Sequence, residues 1–275
     1  MKSVHAYSFE TTGMAIIPKA LSLEKVAEAK QLIQNNWPSG APWKFPVLHL
    51  GRVFWEMMTQ PVMLELSDKF AGPWFRVDHA FGVTSNNAPA QLHGGPQACQ
   101  YASLYTPLAH GSRTGIGRLN FGFCLEGQNS ETGGFCYVPG SHKSTDPRGG
   151  QQILQEVYGG KFDHPSLVVP TLQPGDLMLF AEALVHGDSG WKLPPTQHRM
   201  QIYYMVTPGF MCWRDYDQDE DVRQYAVTDL ERQLVSAPWV GRYQTTATAM
   251  SVTNEWRKPT MEFAHVMHDR TNSGK

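Results

Sequence analysis

Cysteine, charge and long apolar runs are all scarce in this chain of 275 residues. The four cysteines, Cys99, Cys124, Cys136 and Cys212, include no closely spaced pair of the kind that holds zinc, and they are too few to staple a fold. Free thiols in a reducing, cytoplasmic setting are the expectation. Charged residues make up 17% of the chain, with 23 basic against 25 acidic, so there is no basic excess to track a phosphate backbone. Basic and aromatic residues are not interleaved either, and no nucleic acid partner is expected. No apolar stretch approaches the length of a membrane span or of a leader's hydrophobic region, so no membrane association is expected. At 41% hydrophobic residues the chain can still bury a sizeable core. No Pro/Gly/Ser-rich linker interrupts it, so residues 1–275 are read as one domain.

Periodicity divides that domain. Residues 1–73 read as an N-terminal strand and helices. Met14-Ala15-Ile16-Ile17, closed by Pro18, is an edge strand, and Ser22 caps a helix with Val26, Ala29, Leu32 and Ile33 on one face. A proline- and aromatic-rich loop carrying Trp43, Lys44 and Phe45 follows. The apolar helical pattern from Val53 to Phe70 has Pro61 at its centre, and proline forbids a smooth helix interior, so it reads as two short helices. From Trp74 to about residue 210 the period is two. Strands are predicted over 74–83, 98–104, 118–125, 135–138, 177–180 and 198–206, with His79 a structural histidine. The polar stretch 144–165, weakly helical over 151–158, is an insertion. His142 and Lys143 just before it are expected to turn their charge to solvent or to an anionic substrate. His110 to Gly117 looks like a phosphate-binding loop but lacks the Gly-Lys-Ser/Thr ending and the following helix. Residues 211–275 form a C-terminal helix, with Thr228 and Glu231 at capping-box spacing, and a tail.

Chemistry concentrates at two histidines. His93 in Gln91-Leu92-His93-Gly94-Gly95-Pro96 and His186 in Leu184-Val185-His186-Gly187 are each followed by glycine, which permits close backbone approach. Neutral imidazole is the commonest transition-metal ligand. Two such distant histidines are by themselves also what a hydrogen-bonded structural pair would look like.

The blocks around them carry more. Gly133-Gly134-Phe135-Cys136-Tyr137-Val138-Pro139-Gly140-Ser141-His142-Lys143, and Pro174-Gly175-Asp176 through His186 with Arg199, resemble the phytanoyl-CoA dioxygenase family of iron(II)/2-oxoglutarate oxygenases. The resemblance implies a mainly β fold with accessory helices, a double-stranded β-helix (jelly roll, cupin-like). It implies Fe(II) held by His93 and His186, and 2-oxoglutarate with its far carboxylate on Arg199, where a planar guanidinium grips with two parallel hydrogen bonds. Asn120, on the cavity face of its strand, and Tyr101 and Tyr105 are candidate contacts to cosubstrate or substrate.

One role of the family pattern departs. Its metal-binding aspartate falls at Gly95, which leaves the triad of two histidines and a carboxylate incomplete. Glycine or alanine at that place is the variation of related non-haem iron halogenases, in which a halide takes the vacated position. The residues implied in catalysis are therefore His93, Gly95 and His186, with chloride or bromide as a further ligand. Glu182, four residues before His186, is a displaced carboxylate ligand or, more simply, a hydrogen-bond partner that orients an imidazole. Three readings stand: halogenation of a small molecule, hydroxylation by an incomplete or displaced ligand set, and a catalytically inactive cupin-like binding protein.

Overall fold

Alternating side chains in the second half of the chain sort into two faces, and two facing antiparallel sheets result. The computed structural model describes residues 3–72, 75–84, 90–94, 105–106, 115–144, 152–153, 155–156, 164–194, 197–211, 220–236 and 238. The helices are α1 (Ser3–Thr12), α2 (Leu23–Asn36), α3 (Arg52–Met58), α4 (Pro61–Ala71), α5 (Glu220–Arg223) and α6 (Asp229–Leu234). The strands are β1 (Met14–Ile17), β2 (Lys44–Pro46), β3 (Phe75–Thr84), β4 (Ala90–His93), β5 (Tyr105–Thr106), β6 (Gly115–Ile116), β7 (Leu119–Cys124), β8 (Gly133–Tyr137), β9 (Leu177–Ala181), β10 (His186–Trp191) and β11 (Met200–Pro208). The larger sheet runs β1-β9-β7-β11-β3-β2 and the smaller β4-β10-β8, while β5 and β6 pair separately. Every pairing is antiparallel. This is a double-stranded β-helix with accessory helices.

Which residue faces which layer follows from the period of two. Leu119, Phe121 and Phe123 of β7, with Leu177 and Leu179 of β9 and Ile202, Tyr204 and Val206 of β11, pack under the helices against Val53, Phe54 and Met57. Removing one of these rings, as in Phe121→Ala, costs about 3 to 5 kcal/mol by lost transfer energy and the cavity left behind. The opposite faces turn inward: Cys124, Met178, Phe180 and Tyr203 meet Phe135, Leu172 and Leu184 between the sheets. In β3 one extra residue, Asp78, falls between the pairs His79↔Met205 and Val77↔Val206. That bulge lets Phe75 and Val77 stay under the helices while Phe81 faces the interior.

The helix signals act as written in the sequence. The Ser22 hydroxyl accepts from the Lys25 N–H at 3.3 Å, Pro61 opens α4, and Thr228 and Glu231 form a reciprocal capping box at α6. Four elements depart from the sequence reading, one of them the short β6 in the glycine-rich stretch. Helix α1 precedes the first strand and anchors through Ala6 and Phe9, too few apolar positions to give a periodic signal. Phe45, read as loop, lies in edge strand β2 and packs on Trp37. The stretch after His186, which is not among the expected strands because Gly187 to Gln197 reads as a loop, begins as strand β10, imposed by pairing on both sides rather than by its own residues. His142 is corrected as well. It is 2% exposed, its Nε2 lies 3.4 Å from the Glu10 carbonyl of α1, and burial lowers its pKa to about 4, so it presents no charge to solvent or substrate. Lys143 is exposed. The helical stretch 151–158, the strand over 98–104, most of the glycine-rich loop and the C-terminal tail lie outside the described residues or largely so. Among the described residues no helix is long and apolar enough to cross a membrane.

Candidate active site

Strand β10 sits between β4 and β8, and its first residue is His186. Antiparallel register sets His186 opposite both His93 of β4 and Tyr137 of β8. Their side chains share the inner face, and the two imidazoles have ring centroids 4.3 Å apart at 56°. The backbone closes this tightly because Gly94 has no side chain. Its φ is +91°, and a Cβ there would lie 2.2 Å from the Leu184 carbonyl oxygen.

That carbonyl has a second use. The Nδ1–H of His186 donates to Leu184 O at 2.6 Å; a carbonyl can only accept, so the proton is on Nδ1 and the Nε2 lone pair is left for a ligand. His186 is buried, whereas His93 is exposed. Burial, with the neighbouring His93 charge, lowers the His186 pKa to about 4 and keeps the ring neutral, the form that ligates. Phe180 and Phe135 wall it in, their ring centroids 4.7 and 6.0 Å away.

The histidine pair fits a metal. A metal about 2.1 Å from one nitrogen of each ring lies roughly 3.2 Å from each centroid, which puts two rings at right angles about 4.5 Å apart. The observed 4.3 Å is close to that. Among the described residues no group of three His, Cys, Asp or Glu side chains is arranged to hold a metal ion. Among the described residues the two imidazoles are the groups that face each other across this site, and Gly95 lies outside the described residues.

Glu182 is held elsewhere. Arg118 Nη2 is 2.5 Å from Glu182 Oε1, and Asn120 Nδ2 donates to Oε2 at 2.8 Å. Burial pushes this carboxyl up, but the Arg118 charge and the hydrogen bonds from Arg118 and Asn120 offset it, and it stays below the ordinary range. His186 takes its orienting hydrogen bond from Leu184, not from Glu182. Asn120 is fully buried on the inner face, as its alternation in β7 predicts, and its amide nitrogen is spent on Glu182.

Arg199 lies just before β11, buried, in the same interior. Its Nη1 donates to Asp188 Oδ2, and its Nη2 to Gln201 Oε1 at 2.6 Å and to the Tyr203 hydroxyl at 3.3 Å. Burial works against its charge, and the Tyr203 and Asp188 groups more than restore it. Gln201 also donates to Gln128 Oε1 at 3.3 Å, and Gln128 holds the Phe135 backbone by both N–H and C=O. A Cβ on Gly134, whose φ is +110°, would meet Gln128 at 2.8 Å and Arg199 Cδ at 3.0 Å. Gly134 therefore leaves room for the arginine, while a Cβ on Gly133 would run into the Gly190 carbonyl of β10. Tyr203, whose hydroxyl burial pushes up to about 12, stacks on Phe81 and meets Phe180 edge-on, linking the arginine end to the histidine end.

The structure thus brings His93, His186, Asn120 and Arg199 into one interior, while Gly95 and Tyr101 lie outside the described residues. Sequence reasoning did not single out Tyr137, Asp188, Gln128, Gln201 and Tyr203. Period-two counting from Arg199 along the expected strand reaches Gln201 and Tyr203, whereas counting from His186 reaches Asp188 only once β10 is known to be a strand.

The model of the family described as phytanoyl-CoA dioxygenase (PhyH) matches residues 47–190. No curated protein sequence matches the chain. Among solved structures, HygX from Streptomyces hygroscopicus with nickel and 2-oxoglutarate bound is similar at TM-score 0.67 and 21% identity, over 78% of this chain and 90% of that one. HygX with nickel, 2-oxoglutarate and hygromycin B bound gives 0.65 and 22% over the same shares. SnoN, a non-haem alpha-ketoglutarate-dependent epimerase from nogalamycin biosynthesis, gives 0.54 and 18%, over 76% of this chain and 83% of that one. At these identities the likeness is one of fold.

Proposed function

The chain belongs to the phytanoyl-CoA dioxygenase family of iron(II)/2-oxoglutarate oxygenases, and from that premise we propose that it functionalises a C–H bond of a small molecule, with a halide as the group transferred. The observation that carries this reading is the pair of facing imidazoles with no third His, Cys, Asp or Glu side chain arranged to share a metal with them among the described residues. His93 and His186 would hold Fe(II), and Arg199 the far carboxylate of 2-oxoglutarate. The bound iron and cosubstrate supply the oxidising power by activating dioxygen, with succinate and carbon dioxide released.

The chain's own part is positioning and exclusion. Leu184 fixes the His186 tautomer, and Phe135 and Phe180 keep water from its buried edge. Glycine at position 95 offers neither a ligand nor bulk, which favours an exogenous anion there. The ion pair with Arg118 supports the same view, since Glu182 is already neutralised and hydrogen bonded. A small-molecule substrate is in keeping with hygromycin B in HygX, the similar fold. Hydroxylation is the second reading, favoured by one observation: Glu182 is near enough to His186 for their charges to interact.

The test is turnover of a metabolite extract with iron-loaded protein, 2-oxoglutarate and dioxygen in chloride and in bromide buffers, read by mass spectrometry. Products whose mass follows the halide support halogenation. Oxygenated products indifferent to halide replace it with hydroxylation. No binding of iron or 2-oxoglutarate leaves an inactive cupin-like binding protein.

A further inference from the structure

Arg199, the group assigned to the cosubstrate's far carboxylate, already carries a carboxylate. Asp188 stands two residues after His186 on the inner face of β10, and its Oδ2 accepts from Arg199 Nη1. Its other oxygen accepts from the Gly190 N–H at 2.9 Å. The second arm of the guanidinium, Nη2, is served by neutral acceptors, Gln201 and Tyr203. Among the described contacts the anion sits on the Nη1 arm.

Three arguments bear on what this does to an incoming diacid. Two residues along a strand span about 6.6 Å, commensurate with a five-carbon diacid held at one end by the histidines, so Asp188 ends where such a molecule's far carboxylate would end. Arg199 is 3% exposed, and a guanidinium that deep needs a counterion at all times. It cannot hold two at once without driving like charges together in a poorly solvated place. Entry of a dicarboxylate is therefore an exchange of one anion for another. The arginine gains little by it, unlike an arginine faced only by neutral hydroxyls and amides.

Resting on the cosubstrate reading above, we propose that Asp188 is the group a dicarboxylate must displace from Arg199, and so sets both the affinity for 2-oxoglutarate and its preference over a 2-oxo acid with a neutral tail. Asp188 acts through Arg199 and is a specificity-determining residue rather than a catalytic one. Displacement costs the Asp188–Arg199 contact, returns a similar one, and leaves Asp188 with its Gly190 N–H bond and a freed oxygen that must find water. A 2-oxo acid without the far carboxylate avoids that exchange altogether. The wild-type site consequently discriminates poorly between the two.

The test uses the full chain, loaded with Ni(II) without oxygen chemistry, as wild type, Asp188→Asn and Asp188→Ser. Each is titrated calorimetrically with 2-oxoglutarate and with 2-oxopentanoate, which has the same chain length and no far carboxylate. Both variants should bind 2-oxoglutarate about tenfold more tightly than wild type, the scale of a charge-assisted hydrogen bond no longer contested. Their affinity for 2-oxopentanoate should not rise with it, so the ratio of the two affinities increases. Thermal unfolding gives a second readout. The unliganded variants should melt below wild type, their buried arginine lacking its anion, and 2-oxoglutarate should raise their melting temperature by more than it raises that of wild type. The serine variant, small and able to accept from Gly190 N–H, stands in where the asparagine amide clashes with the guanidinium. Wild type that binds 2-oxoglutarate while both variants bind it no better, at an unchanged ratio, overturns the proposal and leaves the cosubstrate reading intact. Absence of 2-oxoglutarate binding in all three forms overturns both.

Discussion

At the scale of the residue, what distinguishes this site is how each polar group is committed. The Nδ1–H of His186 donates to Leu184 O, which leaves the lone pair on its other nitrogen. Glu182 is given to Arg118 and Asn120, and that commitment predicts how it behaves when removed. Glu182→Ala should cost about 3 to 5 kcal/mol, because it strips a buried guanidinium of its carboxylate. Iron stoichiometry after gel filtration should stay as in wild type; iron lost in step with the carboxylate would make Glu182 a ligand. Arg199→Lys should weaken 2-oxoglutarate binding about tenfold, since a point charge does not reproduce the planar fork that Asp188, Gln201 and Tyr203 surround. Equal affinity, measured by calorimetry on the Ni(II) form, would remove Arg199 from the cosubstrate site. His93, His186 and Arg199 were legible in the sequence because motif blocks flank them. Asp188 was not, because Gly187, Ser189 and Gly190 around it carry a turn's composition.

At the scale of the element, pairing overrides composition. β10 has almost none of the β-branched and aromatic content that marks a strand, yet it is held by β4 on one side and β8 on the other. Edge strand β2 and helix α1 were hidden for related reasons: β2 is short and follows prolines, and α1 buries only Ala6 and Phe9. By contrast α2, α4 and α6 announced themselves through Ser22, Pro61 and the Thr228–Glu231 box, signals that are local and need no tertiary partner. The contact of β4 with β10 depends on Gly94. Gly94→Ala introduces a Cβ into the Leu184 carbonyl at a φ unfavourable to L residues, a strain of about 1 to 3 kcal/mol. The expected outcome is a lower melting temperature together with weakened metal affinity, as His93 moves away from His186. A variant that melts lower but binds metal as wild type would show that the strand junction does not position the histidines.

For the whole molecule, the sorting of side chains into an outer layer under the helices and an inner layer around the site follows from the period of two in β7, β9 and β11. The bulge at Asp78 and the seating of His142 do not, because both arise from how distant segments meet. His142 ties stability to pH. It is buried and neutral, with its pKa lowered to about 4 from an unfolded value of 6.5, so the unfolded chain binds the extra proton first. The stabilisation is full above about pH 6.5 and is lost as pH falls through 6.5 towards 4, amounting to about 2 kcal/mol by pH 5. Urea unfolding of wild type and His142→Gln at pH 7 and pH 5 should show wild type losing more of its stability over that interval; parallel losses would contradict the assignment. The central claim, that two imidazoles hold an iron to which 2-oxoglutarate binds, is tested most directly by adding 2-oxoglutarate to the Fe(II)-loaded protein under anaerobic conditions. The account predicts a visible charge-transfer band at one cosubstrate per iron, abolished in His186→Ala; no band, or a band that survives that substitution, would contradict it.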